Sequence, residues 1–252
     1  MIKLSDRLQM IADLIENGQT VADIGTDHGF LPIYLWESGK SSRVILADIS
    51  KGSLQKAIDN VEMQNFKEET VKNGFDFRLG NGIEVLQNGE VDVVVIAGMG
   101  GILMTEILGK NLNKSKSMKC FILQPRNSQG KLRWWLLNNG FIIKQEKIVR
   151  EGKYICEVIF AEAEENDSVL IELPKESDLE LQSEDIRYEV PESILMSNGS
   201  LALEFVERKL EIELNILKNI KKSASISGEI IQQSELRILY LENLLKKYNK
   251  SR

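Results

Sequence analysis

The sequence predicts an α/β fold, an open and mostly parallel sheet wound with helices, followed by a helical hairpin. Three observations predict it. Short β-rich runs alternate with helical segments through the first 140 residues or so. The runs end in carboxylates and glycines, as strands do where an open sheet meets a ligand. Beyond residue 200, leucine and isoleucine recur at heptad spacing.

Composition sets the bounds. A chain of 252 residues with 42% hydrophobic content suits one domain of ordinary size plus an appendage. No apolar run approaches the roughly 20 residues that span a bilayer, and no signal peptide opens the chain, so a cytoplasmic protein is expected. Cys120 and Cys156 each sit in an apolar run and read as free thiols. One histidine in the whole chain argues against a histidine-based metal site, and no metal is expected.

The chain opens with a helix capped by Ser5, with Leu8, Ile11, Ala12 and Ile15 on one face and Gly18 at its end. Arg7 lies on its first turn, within reach of the strand ends. Strand one, at 20–24, runs into Asp23-Ile-Gly-Thr-Asp-His-Gly29, and a helix follows at 30–38, where Pro32 suits the first turn. Gly25 and Gly29 let backbone approach a ligand closely, beside the free N–H groups of a helix N-terminus.

Strand two, 43–48, ends in Asp48, which can bond both hydroxyls of a ribose. The dinucleotide fingerprint would require a glycine where Asp27 stands. An acid two residues before the first glycine is instead the arrangement of S-adenosylmethionine-dependent methyltransferases. A helix at 52–65 turns Leu54, Ala57, Ile58 and Val61 inward, and strand three is Phe75–Leu79. Asn81, in Gly80-Asn-Gly82, is placed to bond a cofactor adenine, although an Asn between glycines is equally a turn former.

Strand four, Val91–Ala97, runs into Gly98-Met-Gly-Gly101 and a helix at 102–109. Three glycines at a strand's carboxyl end imply backbone closely approached by a ligand. Strand five, Cys120–Pro125, ends in the polar turn Gln124-Pro-Arg-Asn-Ser128. The helix 129–138 carries Trp134 and Trp135, which cannot both face a core; one covers the rim. Phe141–Val149 and Tyr154–Ala161 form a hairpin around Glu151-Gly152.

Charge is uneven. Residues 1–160 carry 20 basic and 19 acidic side chains, 161–200 carry 2 and 12, and 201–252 carry 10 and 7. Within the first block, 110–153 holds eleven bases against Glu146 and Glu151, a candidate phosphate-facing surface or a solvated lysine-rich rim.

Leu4-Ser5-x-Arg7-Leu8, Ala22-Asp-Ile-Gly-Thr-Asp-His28, Ile96-Ala-Gly-Met-Gly-Gly101 and Leu123-Gln-Pro125 together resemble the bacterial tRNA (adenine-N1)-methyltransferase family that modifies adenine 22 in the D-arm. The resemblance covers the catalytic domain, and the Asp-Ile-Gly-x-Asp-His and Ala-Gly-Met-Gly-Gly blocks are its specific part. That family often has a different small residue where Gly29 stands. It implies a Rossmann-like class I methyltransferase with a seven-stranded sheet at 1–162. An acidic linker at 163–200 and an antiparallel coiled-coil hairpin at 201–252 complete the expected organisation.

The expected cofactor is S-adenosyl-L-methionine, held by Asp23, Gly25, Thr26, Asp27, His28, Gly29, Asp48, Ile49, Asn81, Gly82, Gly98, Met99 and Gly100. The expected partner is tRNA, met by Arg7, Lys114, Lys116, Lys119, Gln124, Arg126, Asn127 and Arg133, and the protein is expected to be a monomer. Asp27 is the catalytic candidate, because a carboxylate near N1 stabilises the positive charge that the methylated base acquires. Its other reading is to fix the cofactor's ammonium or the loop. The Asn/Asp-Pro-Pro-aromatic block of exocyclic-amine methyltransferases is absent after strand four. Two alternatives stay open: a methyltransferase acting on another RNA, a protein or a small molecule, and a non-catalytic nucleotide-binding scaffold.

The tail reads independently. Leu203, Leu210 and Leu217, with Val206 and Ile220, form one heptad seam; Ile231, Ile238 and Leu245, with Leu241 and Tyr248, form a second. A Ser/Gly loop at 223–228 separates them. The pair either packs on the main domain or grips tRNA through Lys218, Lys221, Lys222, Arg237, Lys246, Lys247 and Lys250.

Overall fold

A computed structural model of the chain describes residues 1–64, 66, 73–164, 183–197, 199–222 and 228–250. Helix α1 (Asp6–Asp13) is capped by Ser5, whose hydroxyl accepts from the Leu8 N–H. Then come β1 (Val21–Ile24), α2 (Phe30–Glu37), β2 (Val44–Asp48), α3 (Lys51–Met63) and β3 (Phe75–Leu79). A short 3₁₀ turn (Gly82–Val85) leads to β4 (Val93–Met99), α4 (Gly101–Gly109), α5 (Leu112–Ser117), β5 (Cys120–Pro125) and α6 (Gln129–Asn138). The hairpin β6 (Phe141–Glu151) and β7 (Tyr154–Ala163) closes the sheet.

The sheet has seven strands in the order β3-β2-β1-β4-β5-β7-β6. The β1 to β5 ladders are parallel, and β7 runs antiparallel to both β5 and β6. Strand order reverses between β1 and β4, and in open α/β sheets the crevice that binds a ligand lies at the carboxyl ends of such a pair. Burial on both faces explains why the central strands read as unbroken apolar runs. One core packs Met104, Leu108, Leu132 and Leu136 on the sheet, and the other packs Ile11, Ile33, Leu35 and Ala57 on its opposite face. Trp135 stacks on Phe141 at 5.9 Å and Trp134 is half-buried, so the tryptophan pair belongs largely to the fold.

Several boundaries differ from expectation, three of them with consequences for the fold. Strand β4 starts at Val93, and just before it the Asp92 carboxylate accepts from the Thr20 N–H and hydroxyl, each at 2.9 Å. It also continues through Gly98 to Met99, with its register against β5 shifting between Ala97 and Met99. Part of the stretch expected as an acidic linker is packed instead. Helices α7 (Ile186–Glu189) and α8 (Glu192–Ser197) bury Ile186, Val190, Ile194 and Leu195 against Ile148 of β6 and the tail. The acids of this stretch hide an apolar residue at every fourth position. Residues 165–182 and the Ser/Gly loop at 223–227 lie outside the described residues.

The tail forms two helices, α9 (Gly199–Ile220) and α10 (Gly228–Lys250), that pack together. Their buried seam is Ala202, Phe205 and Val206 against Leu241 and Leu244, and Leu203 and Leu217 are only half-buried. The first half of α9 also packs on α8 and β6, and that contact sets which face turns inward. Glu213 is buried on this seam and accepts from Arg237 at 2.6 and 3.0 Å.

Candidate active site

The β1–α2 loop turns through positive φ at Gly25 (+82°), Asp27 (+26°) and Gly29 (+68°). At Asp27 this conformation is strained, because L side chains rarely adopt it. Three contacts hold it. Lys56 donates to the Asp27 carboxylate at 3.1 Å, His28 Nε2 lies 3.3 Å from it, and Asn60 donates to the His28 carbonyl at 2.9 Å. The His28 and Phe30 rings stack with centroids 5.2 Å apart. A hydrogen bond from Lys56 holds the Asp27 carboxyl below the usual range, so the half-exposed group stays ionised.

Asp23 differs in kind. It is 7% exposed, and burial pushes its carboxyl up to about 6, with the Asp48 carboxylate pushing the same way. Asp48 ends β2 half-buried and accepts from the Ser50 N–H at 2.7 Å, and Ile49 beside it is 70% exposed. Asn81 follows β3, exposed, with its side chain unused as a helix cap.

Across the crevice, β4 bulges at Gly98 with φ +75°. The Met99 side chain crosses to Gly25, where any side chain at residue 25 would collide with its methyl group. Arg126 lies along Gly98, and Asn127 lies beside Gly100. These strand ends suit a nucleoside cofactor with an amino-acid tail. Thr26 offers a buried hydroxyl with no well-formed hydrogen bond within the described chain. Asp48 keeps carboxylate capacity for ribose hydroxyls, and Ile49 offers an apolar cover for a base.

Several residues expected to meet RNA have partners within the fold. Arg133 is 2% exposed and donates to Glu146 and Glu157, each at 2.5 Å, and to the Tyr188 carbonyl at 2.9 Å. It is an internal tie between α6, the hairpin and α7. Gln124 is 2% exposed, and Arg7 is turned inward onto Gln124 and Glu151. Lys114 donates to the Leu86 carbonyl at 2.7 Å, and Lys119 faces Asp92 at 3.7 Å. Lys114, Lys116 and Lys119 belong to α5 and the start of β5, at the amino ends of β4 and β5, opposite the crevice.

The charge of the basic 110–153 window is therefore partly offset within the fold. Lys110, Lys119, Lys131, Arg133, Lys144 and Arg150 meet acids from elsewhere in the chain, namely Glu84, Asp92, Glu184, Glu157, Glu162 and Glu204. Of the expected RNA residues, Arg126 and Asn127 are exposed at the crevice. Sequence patterns do not point to Lys56, Asn60 or Glu151 as members of this site. No local signal marks them, since each acts on a segment distant in sequence. Among the described residues there is no cluster that could hold a metal ion, and no helix long and apolar enough to cross a membrane.

Known proteins point the same way. The methyltransferase domain family matches residues 4–159. The tRNA (adenine(22)-N(1))-methyltransferase of Bacillus subtilis is 36% identical over 167 residues, covering 66% of this chain and 68% of that one. Among solved structures, M. capricolum TrmK in complex with S-adenosyl-homocysteine superposes with TM-score 0.73 at 26% identity, covering 97% of each chain. The B. subtilis m1A22 tRNA methyltransferase TrmK does so with TM-score 0.69 at 27% identity, covering 99% of each. Sp1610 of Streptococcus pneumoniae in complex with S-adenosyl-L-methionine gives 0.73 at 28% identity, covering 96% of this chain and all of that one.

Proposed function

Because this chain belongs to the methyltransferase domain family, and within it to the tRNA (adenine(22)-N(1))-methyltransferases, we propose that it methylates N1 of adenine 22 in the D-arm of tRNA. The observation that carries the reading is the 36% identity to the B. subtilis enzyme across the catalytic domain. The methyl donor is S-adenosyl-L-methionine, which supplies a sulfonium-activated methyl group to an attacking lone pair.

Asp48 holds the ribose, Asn81 and Ile49 meet the adenine, and Asp23, Thr26 and the Gly25–Gly29 backbone hold the amino-acid end. Gly82, Gly98, Met99 and Gly100 line the same crevice. N1 of adenine carries a free lone pair at neutral pH, so no base has to remove a proton first. The protein's task is then alignment, plus stabilisation of the cation that forms on the base. Asp27 stays ionised at the strand end, as that second task requires, with Lys56 sharing its field. N1 is a pairing edge, so adenine 22 must present it free of Watson–Crick pairing.

Arg126 and Asn127 meet the RNA beside the crevice, and the enzyme works as a monomer in the cytoplasm. The test is direct. Unmodified tRNA is incubated with enzyme and labelled cofactor, and nucleosides are identified by mass spectrometry. N1-methyladenosine should appear in tRNA carrying adenine 22 and vanish when that position is guanine. Label in another nucleoside, or none at all, would overturn the assignment.

A further inference from the structure

A continuous chain of side-chain contacts links the first helix to the cofactor loop through the β4 bulge. Arg7 Nε donates to Glu151 Oε2 at 3.0 Å, and its Nη1 donates to Gln124 Oε1 at 3.0 Å. The same Gln124 oxygen accepts from the Gly98 N–H at 3.1 Å, and the Gln124 amide nitrogen donates to the Pro125 carbonyl at 3.1 Å. Two donors converge on one oxygen, which fixes the orientation of the amide.

Gly98 is where β4 leaves its register with β5, and its N–H is satisfied by a side chain in place of a strand neighbour. The next residue, Met99, reaches over Gly25. The path therefore runs Arg7, Gln124, Gly98, Met99, Gly25.

We propose that Arg7 and Gln124 are positioning residues for cofactor binding, holding the β4 bulge so that Met99 lies against the Gly25 loop. Neither acts as an RNA contact. Arg7 supplies a charged donor that polarises the Gln124 carbonyl, and Gln124 passes the constraint to the Gly98 backbone. Glu151 fixes Arg7 from the far side, so the hairpin tip and the first helix jointly set the geometry. This role rests on the cofactor part of the proposed function and is independent of which tRNA base is methylated.

The test is a double-mutant cycle on the full chain, read by calorimetry with S-adenosylmethionine and by the KM and kcat of tRNA methylation. Arg7→Ala and Gln124→Leu should each raise cofactor Kd and KM about tenfold, the scale of one lost charged hydrogen bond. At saturating cofactor, kcat and tRNA affinity should stay within about threefold of wild type. The double variant should be little worse than either single, because both break one path. Gln124→Glu, which keeps the acceptor for Arg7 and Gly98 but loses the donor to the Pro125 carbonyl, should recover part of the affinity lost in Gln124→Leu.

Additive losses would overturn the proposal and make Arg7 a direct cofactor contact. A loss in tRNA affinity with unchanged cofactor Kd would overturn it in favour of an RNA role. Should Gln124→Leu fail to fold, hydrogen exchange at the Gly98 amide in Arg7→Ala decides: faster exchange supports the path, and unchanged exchange sinks it. A wild-type enzyme that leaves adenine 22 unmethylated would remove the substrate assignment alone, since cofactor Kd is measured without tRNA.

Discussion

Asp27 and Lys56 lie 29 positions apart and meet at 3.1 Å, joining the strained β1–α2 loop to the second turn of α3. The pairing has consequences for catalysis. A preorganised, buried electrostatic group is worth roughly 10²–10³ in rate. Asp27 is 53% exposed at its side chain and shares its charge with a lysine, so its field at a bound base is weakened.

Asp27→Asn should therefore lower single-turnover methylation by only about tenfold, with cofactor affinity nearly unchanged. Lys56→Gln should leave the rate within about threefold, because the carboxylate remains. If cofactor alone restores Asp27→Asn fully at saturation, Asp27 leaves the catalytic assignment and becomes a cofactor ligand.

Asp48 carries the ribose in the proposed site. Asp48→Ala removes charge-assisted hydrogen bonds, each contributing about 1.5–3 kcal/mol, so S-adenosylmethionine affinity should fall at least about tenfold. Circular dichroism should show the fold intact. Unchanged affinity by calorimetry would refute the assignment of the β2 end.

Asp23 makes stability depend on pH. Its carboxyl titrates near 6 when folded, against an ordinary value of 3.8, so the folded state keeps its proton longer. Between about pH 4 and 6 the unfolded chain ionises first, and stability falls as pH rises. The effect approaches 3 kcal/mol, because a tenfold difference in proton affinity between the two states is worth about 1.4 kcal/mol. Asp23→Asn should remove this slope, gaining on wild type in urea unfolding as pH goes from 4.5 to 7. A difference that does not change with pH would disprove the account.

Arg133 separates stability from RNA binding. Breaking a buried ion pair by removing one partner costs about 3–5 kcal/mol, because the other charge is left uncompensated. Arg133→Met should therefore unfold at markedly lower denaturant, with the salt dependence of tRNA binding unchanged in the folded fraction. A flatter salt slope at full stability would restore Arg133 as an RNA contact.

Arg126 should behave in the opposite way. It is exposed along Gly98, and in the proposed complex it meets a phosphate beside the reacting base. Arg126→Ala should weaken tRNA binding and flatten the salt slope by about one, the mark of one lost phosphate contact. Lys119→Ala, at the other end of the strands, should leave the slope as it was. Equal effects from the two would show that RNA wraps both ends of the sheet.

The strands and the helices between them follow from local pattern alone. Apolar runs such as Val44-Ile-Leu-Ala47 must be buried on both faces, and glycines such as Gly25 and Gly29 mark turns that other residues resist. Asp48 and Asn81 were legible because a strand end fixes a residue's place whatever lies beside it. Charge was not legible in this way. Arg133 and Lys119 look alike as basic letters, and only folding brings Glu146 and Glu157 onto one and Asp92 onto the other. Likewise, Gln124 and Arg7 read as polar groups near an RNA site, and only the folded chain places a shared oxygen between Arg7 and the Gly98 N–H. The physical reason is range. Hydrophobic period and turn chemistry are set within a few residues, whereas ion pairs and buried hydrogen bonds depend on partners that tertiary structure brings from tens of residues away.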